Sequence, residues 1–284
     1  MRNRQHAPDV RATNGMKQEA DLPGTKISRK MTVKHKIKHI VALSGGKDSS
    51  ALALRLRELN PDREYVYVCT PTGDELPEMN LHWKNLERIL KSKILIVTHP
   101  DYNTIYDLID DFKMLPNFRA RFCTRILKIE AIQHFYDLVK PAIVYVGLRA
   151  DEEKRKGNIL FDEQIEQKYP MREWGWTIHD VNKYLAKKKI TIPERTDCAM
   201  CFYQRIGEWW NLWKYHPEYF QKISDIEDEI GHTLLSPGKW GGRWPEKLSD
   251  LKEEFEKGRV PRGANDHYMM FPSGSNNKCR LCSM

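Results

Sequence analysis

Four short, nearly continuous apolar runs punctuate the first half of the chain: "HIVALS" (39–44), "EYVYVCT" (64–70), "KILIVTH" (93–99) and "AIVYVGL" (142–148). Apolar runs of this length suit strands buried on both faces. Between them, apolar residues recur at helical spacing over 49–59, 77–90, 103–112 and 123–138, with Asn60-Pro61 stopping the first. Strands separated by helices predict βαβ units, so the expected fold is α/β: an open, doubly wound parallel sheet with helices on both faces. After Arg149 the rhythm stops. A charged loop (149–158) leads into helices over 178–189 and 203–220, joined by turns such as "SPGKWGGRWP". This divides the chain into a tail over 1–37, an α/β domain over 38–150, and a helical, Cys- and Trp-rich C-terminal region over 151–284.

Composition changes that picture little. With 284 residues the chain can bury a sizeable core. No apolar run approaches the roughly 20 residues needed to cross a bilayer, and no signal peptide opens the sequence, so a cytoplasmic protein without membrane attachment is expected. The net charge of +8 is unevenly spread: residues 1–39 hold ten Lys/Arg and three Asp/Glu, leaving 37 basic and 36 acidic residues elsewhere. The excess belongs to a polar tail expected to be disordered. Met1, Met16 and Met31 each offer a start for translation.

The first strand ends in Ser44-Gly45-Gly46-Lys47-Asp48-Ser49-Ser50 and runs straight into a helix. Glycines allow a tight turn, and the unpaired N–H groups of a helix start point at whatever the turn holds. The helix dipole and Lys47 add positive charge, the serines add hydroxyl donors, and Asp48 can hold a magnesium ion. This is an anion site. It is not a Walker A loop, which needs four residues between its first glycine and Gly-Lys-Ser/Thr, whereas here Gly45-Gly46-Lys47 leads to Asp48, and the G-x-G-x-x-G fingerprint is absent.

The run S-G-G-K-D-S after a first strand resembles the PP-loop of the ATP pyrophosphatase, or adenine nucleotide α-hydrolase-like, superfamily. The resemblance implies that Ser44 to Ser50 grip the outer phosphates of ATP, which is split to AMP and pyrophosphate with an adenylated intermediate. Further segments are similar to the phosphoadenylylsulfate reductase branch. "TPTGDELPEM" (70–79) matches at Thr72-Gly73 and Pro77-Glu78, but Pro71 replaces the branch's acid and Asp74 follows later. "RFCTRILKIEAI" (121–132) resembles its Cys-containing helix, and "YVGLRADEEKRKG" (145–157) its Gly-x-Arg segment, implying that Thr72, Gly73 and Arg149 lie near the nucleotide. "YPMREWGWTIHDVNKYLAKKKITI" (169–192) resembles a further helix of the branch. The sulfonucleotide reductases generally carry a degenerate loop; here it is intact, which favours ATP as the substrate.

Two C-x-x-C pairs, Cys198/Cys201 and Cys279/Cys282, lie 77 residues apart, and Cys123 stands alone. Three readings stay open. Resemblance to the phosphorothioation and thiolation members of the superfamily implies a [4Fe–4S] cluster on Cys123, Cys198, Cys201 and one of Cys279 and Cys282. Softness of the donors equally admits Zn2+ on the two pairs, and the pairs can also be sulfur-carrying thiols without metal. Arg121 and Arg125 are expected to lower the pKa of Cys123. Cys69, at a strand end, is expected in the core. Trp209, Trp213 and Phe220 recur at helical spacing and are expected in the core, His216 marks a helix end before Pro217, and Trp240 and Trp244 suit either a nucleic-acid contact or a cover for the cysteines.

The expected function is a PP-loop enzyme that adenylates an acceptor and couples this to sulfur transfer. Lys47, Asp48, Cys123 and Arg149 would carry the chemistry. Expected partners are ATP with Mg2+, a nucleic-acid acceptor, a cysteine desulfurase or thiol as sulfur donor and, as an open point, a second copy of the chain. The alternatives are an adenylylsulfate or phosphoadenylylsulfate reductase and a non-catalytic nucleotide sensor or DNA-binding module.

Overall fold

A computed structural model describes residues 37–155 and 162–264. The tail over 1–36, with Met16 and Met31, and the pair Cys279/Cys282 fall outside the described residues.

The four expected strands form β1 (Lys38–Ala42), β2 (Tyr65–Cys69), β3 (Ile94–Ile96) and β4 (Ala142–Tyr145). A fifth, β5 (Ile165–Lys168), joins them in one all-parallel sheet of order β3-β2-β1-β4-β5. The sequence reading ends the strands at position 148, and β5 corrects it. Its "IEQK" has no strand pattern, and only the pairing of Ala142 to Tyr145 with Ile165 to Lys168 defines it.

Successive side chains of a strand point to opposite faces, and the cores on the two sides follow that alternation. Val41, Tyr65 and Tyr67 pack with α1 (Lys47–Leu59), α2 (Pro77–Leu90) and α7 (Ile178–Lys187) on one face. Ile40, Val68 and Val144 pack with α5 (Ala131–Val139) on the other. Helix α7 starts at a capping box in which Thr177 and Asp180 satisfy each other's backbone N–H. Helix α3 (Ile105–Phe112) starts the same way at Thr104 and Asp107.

The helix expected over 123–138 is one continuous helical run with an internal change of winding: α4 (Phe122–Thr124), a π-helical stretch (Arg125–Glu130) and α5. The helix expected over 203–220 is two, α8 (Ile206–Tyr215) and α9 (Pro217–Ile230). Pro217 lacks an N–H and takes the first position of α9, while His216 caps α8, as its place before proline suggested. With α10 (Leu248–Glu256) these helices bury Trp209, Phe220 and Phe255 in a third cluster, which also takes in Cys123, Cys198 and Cys201. Trp209 and Phe220 are core as expected, Trp213 is half-buried against them, and Cys69 is buried at the end of β2. Between β5 and α7 lies the short α6 (Pro170–Glu173). No described helix is long and apolar enough to cross a membrane.

Candidate functional site

The turn after β1 is shaped by Gly45, whose φ of +88° favours glycine. A Cβ there would sit 2.5 Å from Trp83 Nε1 and 2.8 Å from Met79 Cε, so α2 closes tightly over the turn. Trp83 also donates from Nε1 to the Ser44 carbonyl at 3.1 Å. Gly46 caps α1, and the first helical hydrogen bond runs from Ser50 N to Gly46 O at 2.9 Å. The amides of Lys47, Asp48 and Ser49 therefore have no acceptor within the helix and surround its positive end. Ser44 Oγ and Ser49 Oγ lie 3.0 Å apart at the same point. From the far side, Gly147 beyond β4 approaches so closely that a Cβ would stand 3.2 Å from Ser49 N.

Arg149 is almost wholly buried and is held by three carboxylates. Its Nη1 donates to Asp48 Oδ2 at 2.6 Å and its Nε to Asp151 Oδ1 at 2.8 Å, and Nη2 lies 3.5 Å from Glu152 Oε1. The second oxygen of Asp48, Oδ1, is buried with no hydrogen-bond partner among the described residues. Burial pushes the Asp48 carboxyl up to about 6 against the opposing pull of Arg149. Burial likewise lowers Lys47, with Arg149 adding to the effect and Asp48 opposing it. His82, on α2 beneath the turn, is pushed down to about 4 by burial and is neutral near pH 7. The turn thus offers amides, hydroxyls, an ammonium and one buried carboxylate oxygen left for a cation, the chemical set that magnesium-bound phosphates require.

Beyond β2, Thr72 and Gly73 do not present their donors outward. Glu75 accepts from Thr72 N at 2.7 Å, Thr72 Oγ1 at 2.8 Å and Gly73 N at 2.9 Å. Asp74, two per cent exposed, instead faces the cysteines. Its carbonyl accepts from Ala199 N and its Oδ2 from Met200 N, each at 2.8 Å, while the Tyr106 hydroxyl donates to Oδ1. An antiparallel bridge between Glu75 and Cys198 completes the seam.

Cys123, Cys198 and Cys201 line one cavity together with Thr72, Lys128 and Phe202. The structure therefore brings together the thiols that sequence spacing leaves far apart. Contrary to the sequence expectation, the Cys123 thiol is raised: burial outweighs the cations around it, of which Lys128 lowers it most. Arg125 is mostly exposed, so water screens it. Cys198 is pushed up further, first by its hydrogen bond with Cys201 and then by burial. The all-sulfur donor set has the chemistry of an iron–sulfur or zinc site. Among the described residues, however, no three His, Cys, Asp or Glu side chains stand close enough to hold a single metal ion, so a lone zinc would also need ligands outside them.

Trp240 and Trp244 pack half-buried against the C-terminal core, and the Arg259 guanidinium lies 3.9 Å over the Trp244 ring. Lys239 Nζ donates to the Gln204 carbonyl at 3.1 Å, tying this turn to the chain just after Cys201. Sequence reasoning missed Trp83, and gave no role to Glu75, Gly147 and Asp151 although each lies in a segment it singled out. The close-approach glycine in "YVGLR" was the one signal that pointed to any of them.

The family model described as the phosphoadenosine phosphosulfate reductase domain matches residues 38–212. None of the curated proteins matches the chain. Among solved structures, the chain is similar to phosphoadenylyl-sulfate reductase from Candida auris in a phosphate complex, with 12% identity, a TM-score of 0.44, and coverage of 58% of this chain and 77% of that one. It is similar to the U34-tRNA thiolase NcsA from Methanococcus maripaludis with its [4Fe–4S] cluster, with 17% identity, a TM-score of 0.41, and coverage of 81% and 83%. It is also similar to NH3-dependent NAD synthetase from Campylobacter jejuni in complex with nitrate, with 13% identity, a TM-score of 0.37, and coverage of 79% and 88%.

Proposed function

The chain belongs to the phosphoadenosine phosphosulfate reductase domain family of the PP-loop superfamily, and from that premise we propose that it is an ATP pyrophosphatase-type sulfurtransferase acting on nucleic acid. An acceptor oxygen attacks the α-phosphorus of ATP. The bond to the β-phosphate oxygen breaks, and pyrophosphate leaves with its magnesium. The terminal sulfur of a persulfide on a donor thiol, loaded by a cysteine desulfurase, then attacks the adenylated carbon as AMP departs with the oxygen; a second thiol cleaves the resulting S–S bond, leaving sulfur on the acceptor and a disulfide between the two thiols.

The amides of Lys47, Asp48 and Ser49 and the Ser44 and Ser49 hydroxyls bind the leaving pyrophosphate, whereas the Ser50 hydroxyl, expected to join them, is buried 3.5 Å from His82 Nε2. Lys47 offsets the charge that develops on it. Asp48 turns its Oδ1 to magnesium, while Arg149, Asp151 and Glu152 fix its other oxygen and its rotamer. A phosphate contact by Arg149 itself would require it to exchange one of these carboxylates. Thr72 and Gly73 would border the nucleotide from the loop after β2, without giving it the donors that Glu75 already takes. Cys123, Cys198 and Cys201, with Cys279 or Cys282, would hold a [4Fe–4S] cluster, which would supply a soft iron site for sulfur; Zn2+ on the two C-x-x-C pairs is the competing occupant.

The observation that carries this reading is the buried, unpartnered Asp48 Oδ1 at the mouth of an intact phosphate turn. Incubation of the full chain with magnesium and ATP should yield AMP and pyrophosphate. Lys47→Ala should lower that rate by about 10²–10³-fold, the usual loss of one positioned charge at a developing anion. Absence of ATP turnover, or release of sulfite from an adenylylsulfate, would overturn the reading. Anaerobic purification tests the metal separately: a brown protein with about four irons per chain selects the cluster, and a colourless one with zinc removes it.

A further inference from the structure

Residues 113–129 carry five cations, Lys113, Arg119, Arg121, Arg125 and Lys128, and no acid. The rest of the chain beyond the tail is close to neutral, so this strip is a local excess that the overall charge conceals. It begins in the loop after α3, passes Cys123 and ends in the π-helical stretch. Pro116, Cys123 and Lys128 of the strip line the cysteine cavity.

The strip also carries flat apolar surface. Phe118 is 53% exposed, an unusual state for a phenylalanine in a described loop, and the Arg119 guanidinium lies 5.3 Å from its ring centroid. Arg121 stands 5.7 Å from the ring of Tyr203, two residues after Cys201. Phe202, which lines the cavity, lies with its ring centroid 4.3 Å from that of Tyr203. Asn117 fixes the loop by accepting from the amides of Arg119 and Ala120, each at 2.9 Å. One cation–ring pair on the braced loop, a second between Arg121 and Tyr203, and Arg125, 65% exposed and 3.7 Å from Glu130 Oε1, set positive charge beside aromatic surface near the buried thiols.

We propose that this strip binds an unpaired stretch of nucleic acid and feeds it to the cysteine cavity. Phosphates lie along Arg119, Arg121 and Arg125, and bases stack on Phe118 and Tyr203. Guanidinium groups beside one exposed ring, Phe118, and one half-buried ring, Tyr203, suit a polyanion that also has flat faces, and a base in a duplex has no free face to offer. An acidic peptide would answer the charge but leave Phe118 without a partner. The inference rests on the nucleic-acid acceptor proposed above and names the surface that receives it.

The full chain, without nucleotide, should bind mixed-sequence single-stranded DNA or RNA oligonucleotides in a fluorescence anisotropy titration, more tightly than the matching duplex. Phe118→Ala should weaken this binding about tenfold, the usual loss of one stacked base. Arg119→Gln and Arg125→Gln should each lower the salt slope by about 0.7. Ultraviolet crosslinking followed by mass spectrometry should place bases on Phe118 or Tyr203. Crosslinks confined to 1–36, equal affinity for duplex, equal competition by polyglutamate, or unchanged affinity in Phe118→Ala with a native melting curve would each overturn the proposal. Because ATP is absent, a chain that turns over no ATP but shows these effects would lose the function above and keep this surface. A chain that cleaves ATP and binds no oligonucleotide here would do the reverse.

Discussion

At the scale of the residue, Asp48 is where the site becomes chemical. One carboxylate oxygen is committed to Arg149 and the other is buried and unpartnered, so desolvation dominates and the group titrates near 6. Only the ionised form can hold magnesium. Pyrophosphate release, measured as kcat/KM for magnesium-ATP, should therefore be level above that pH and fall about tenfold per unit below it. Asp48→Asn should lose both the activity and that acid limb. Gly45 is the second residue on which the turn depends. In Gly45→Ala the new methyl would stand 2.5 Å from Trp83 Nε1 on a backbone with φ of +88°. The expected cost is about 1–3 kcal/mol in urea denaturation, together with loss of ATP binding as the Trp83 to Ser44 bond gives way. The residue types at this turn were legible in the sequence because local geometry alone dictates them: glycine for a positive φ, short hydroxyls and a lysine at a helix start. The carboxylates that clamp Arg149 against Asp48 were not, since Asp151 and Glu152 lie about a hundred positions from Asp48 in a run that reads as a charged loop.

At the scale of the element, helices marked by local signals were legible and those set by distant contacts were not. Thr104 and Thr177 announce α3 and α7, and Pro77 opens α2. Pro217 divides a tryptophan-rich stretch whose periodicity alone suggested one helix. The π-helical stretch over Arg125–Glu130 has no such signal, and neither does the role of Glu227. That buried carboxylate on α9 accepts from Leu234 N and Leu248 N, each at 2.7 Å, and so fixes the chain after α9 and the start of α10. Burial raises its pKa from 4.5 to about 7. A raised carboxyl pKa means that the folded state holds a proton the unfolded chain has already released. The stability this group contributes should be full below about pH 4.5 and disappear as pH rises to about 7. Melting temperatures across that window should show the loss in the wild type, and Glu227→Gln should lack that component.

At the scale of the whole molecule, the nucleotide turn and the thiols are separate constructions joined through Asp74. The sheet sets the phosphate turn at the end of β1, and the helical region brings Cys198 and Cys201 to Cys123. The Asp74 carboxylate and carbonyl hold Ala199 and Met200 in place from the loop after β2. Removing that hold in Asp74→Ala should free the cysteine turn, so alkylation of Cys198 and Cys201 by iodoacetamide should accelerate at least tenfold at pH 7. In the metal-free wild type, the Cys198 thiol, raised by its hydrogen bond with Cys201 and by burial, should react slowly. Equal alkylation rates in the two proteins would show that Asp74 does not hold the turn.

The sequence by itself determined the parallel α/β core, the phosphate turn and its residues, and the helical character of the C-terminal half, because runs, periods and caps are properties of neighbours along the chain. Only the tertiary structure decided β5, whose polar residues become a strand solely by pairing with β4. It alone paired one Asp48 oxygen with Arg149 and left the other buried and open, and it alone set three cysteines, Pro116 and Lys128 around one cavity. Pairing partners, burial and electric field depend on residues that meet across long stretches of chain. No local pattern encodes them.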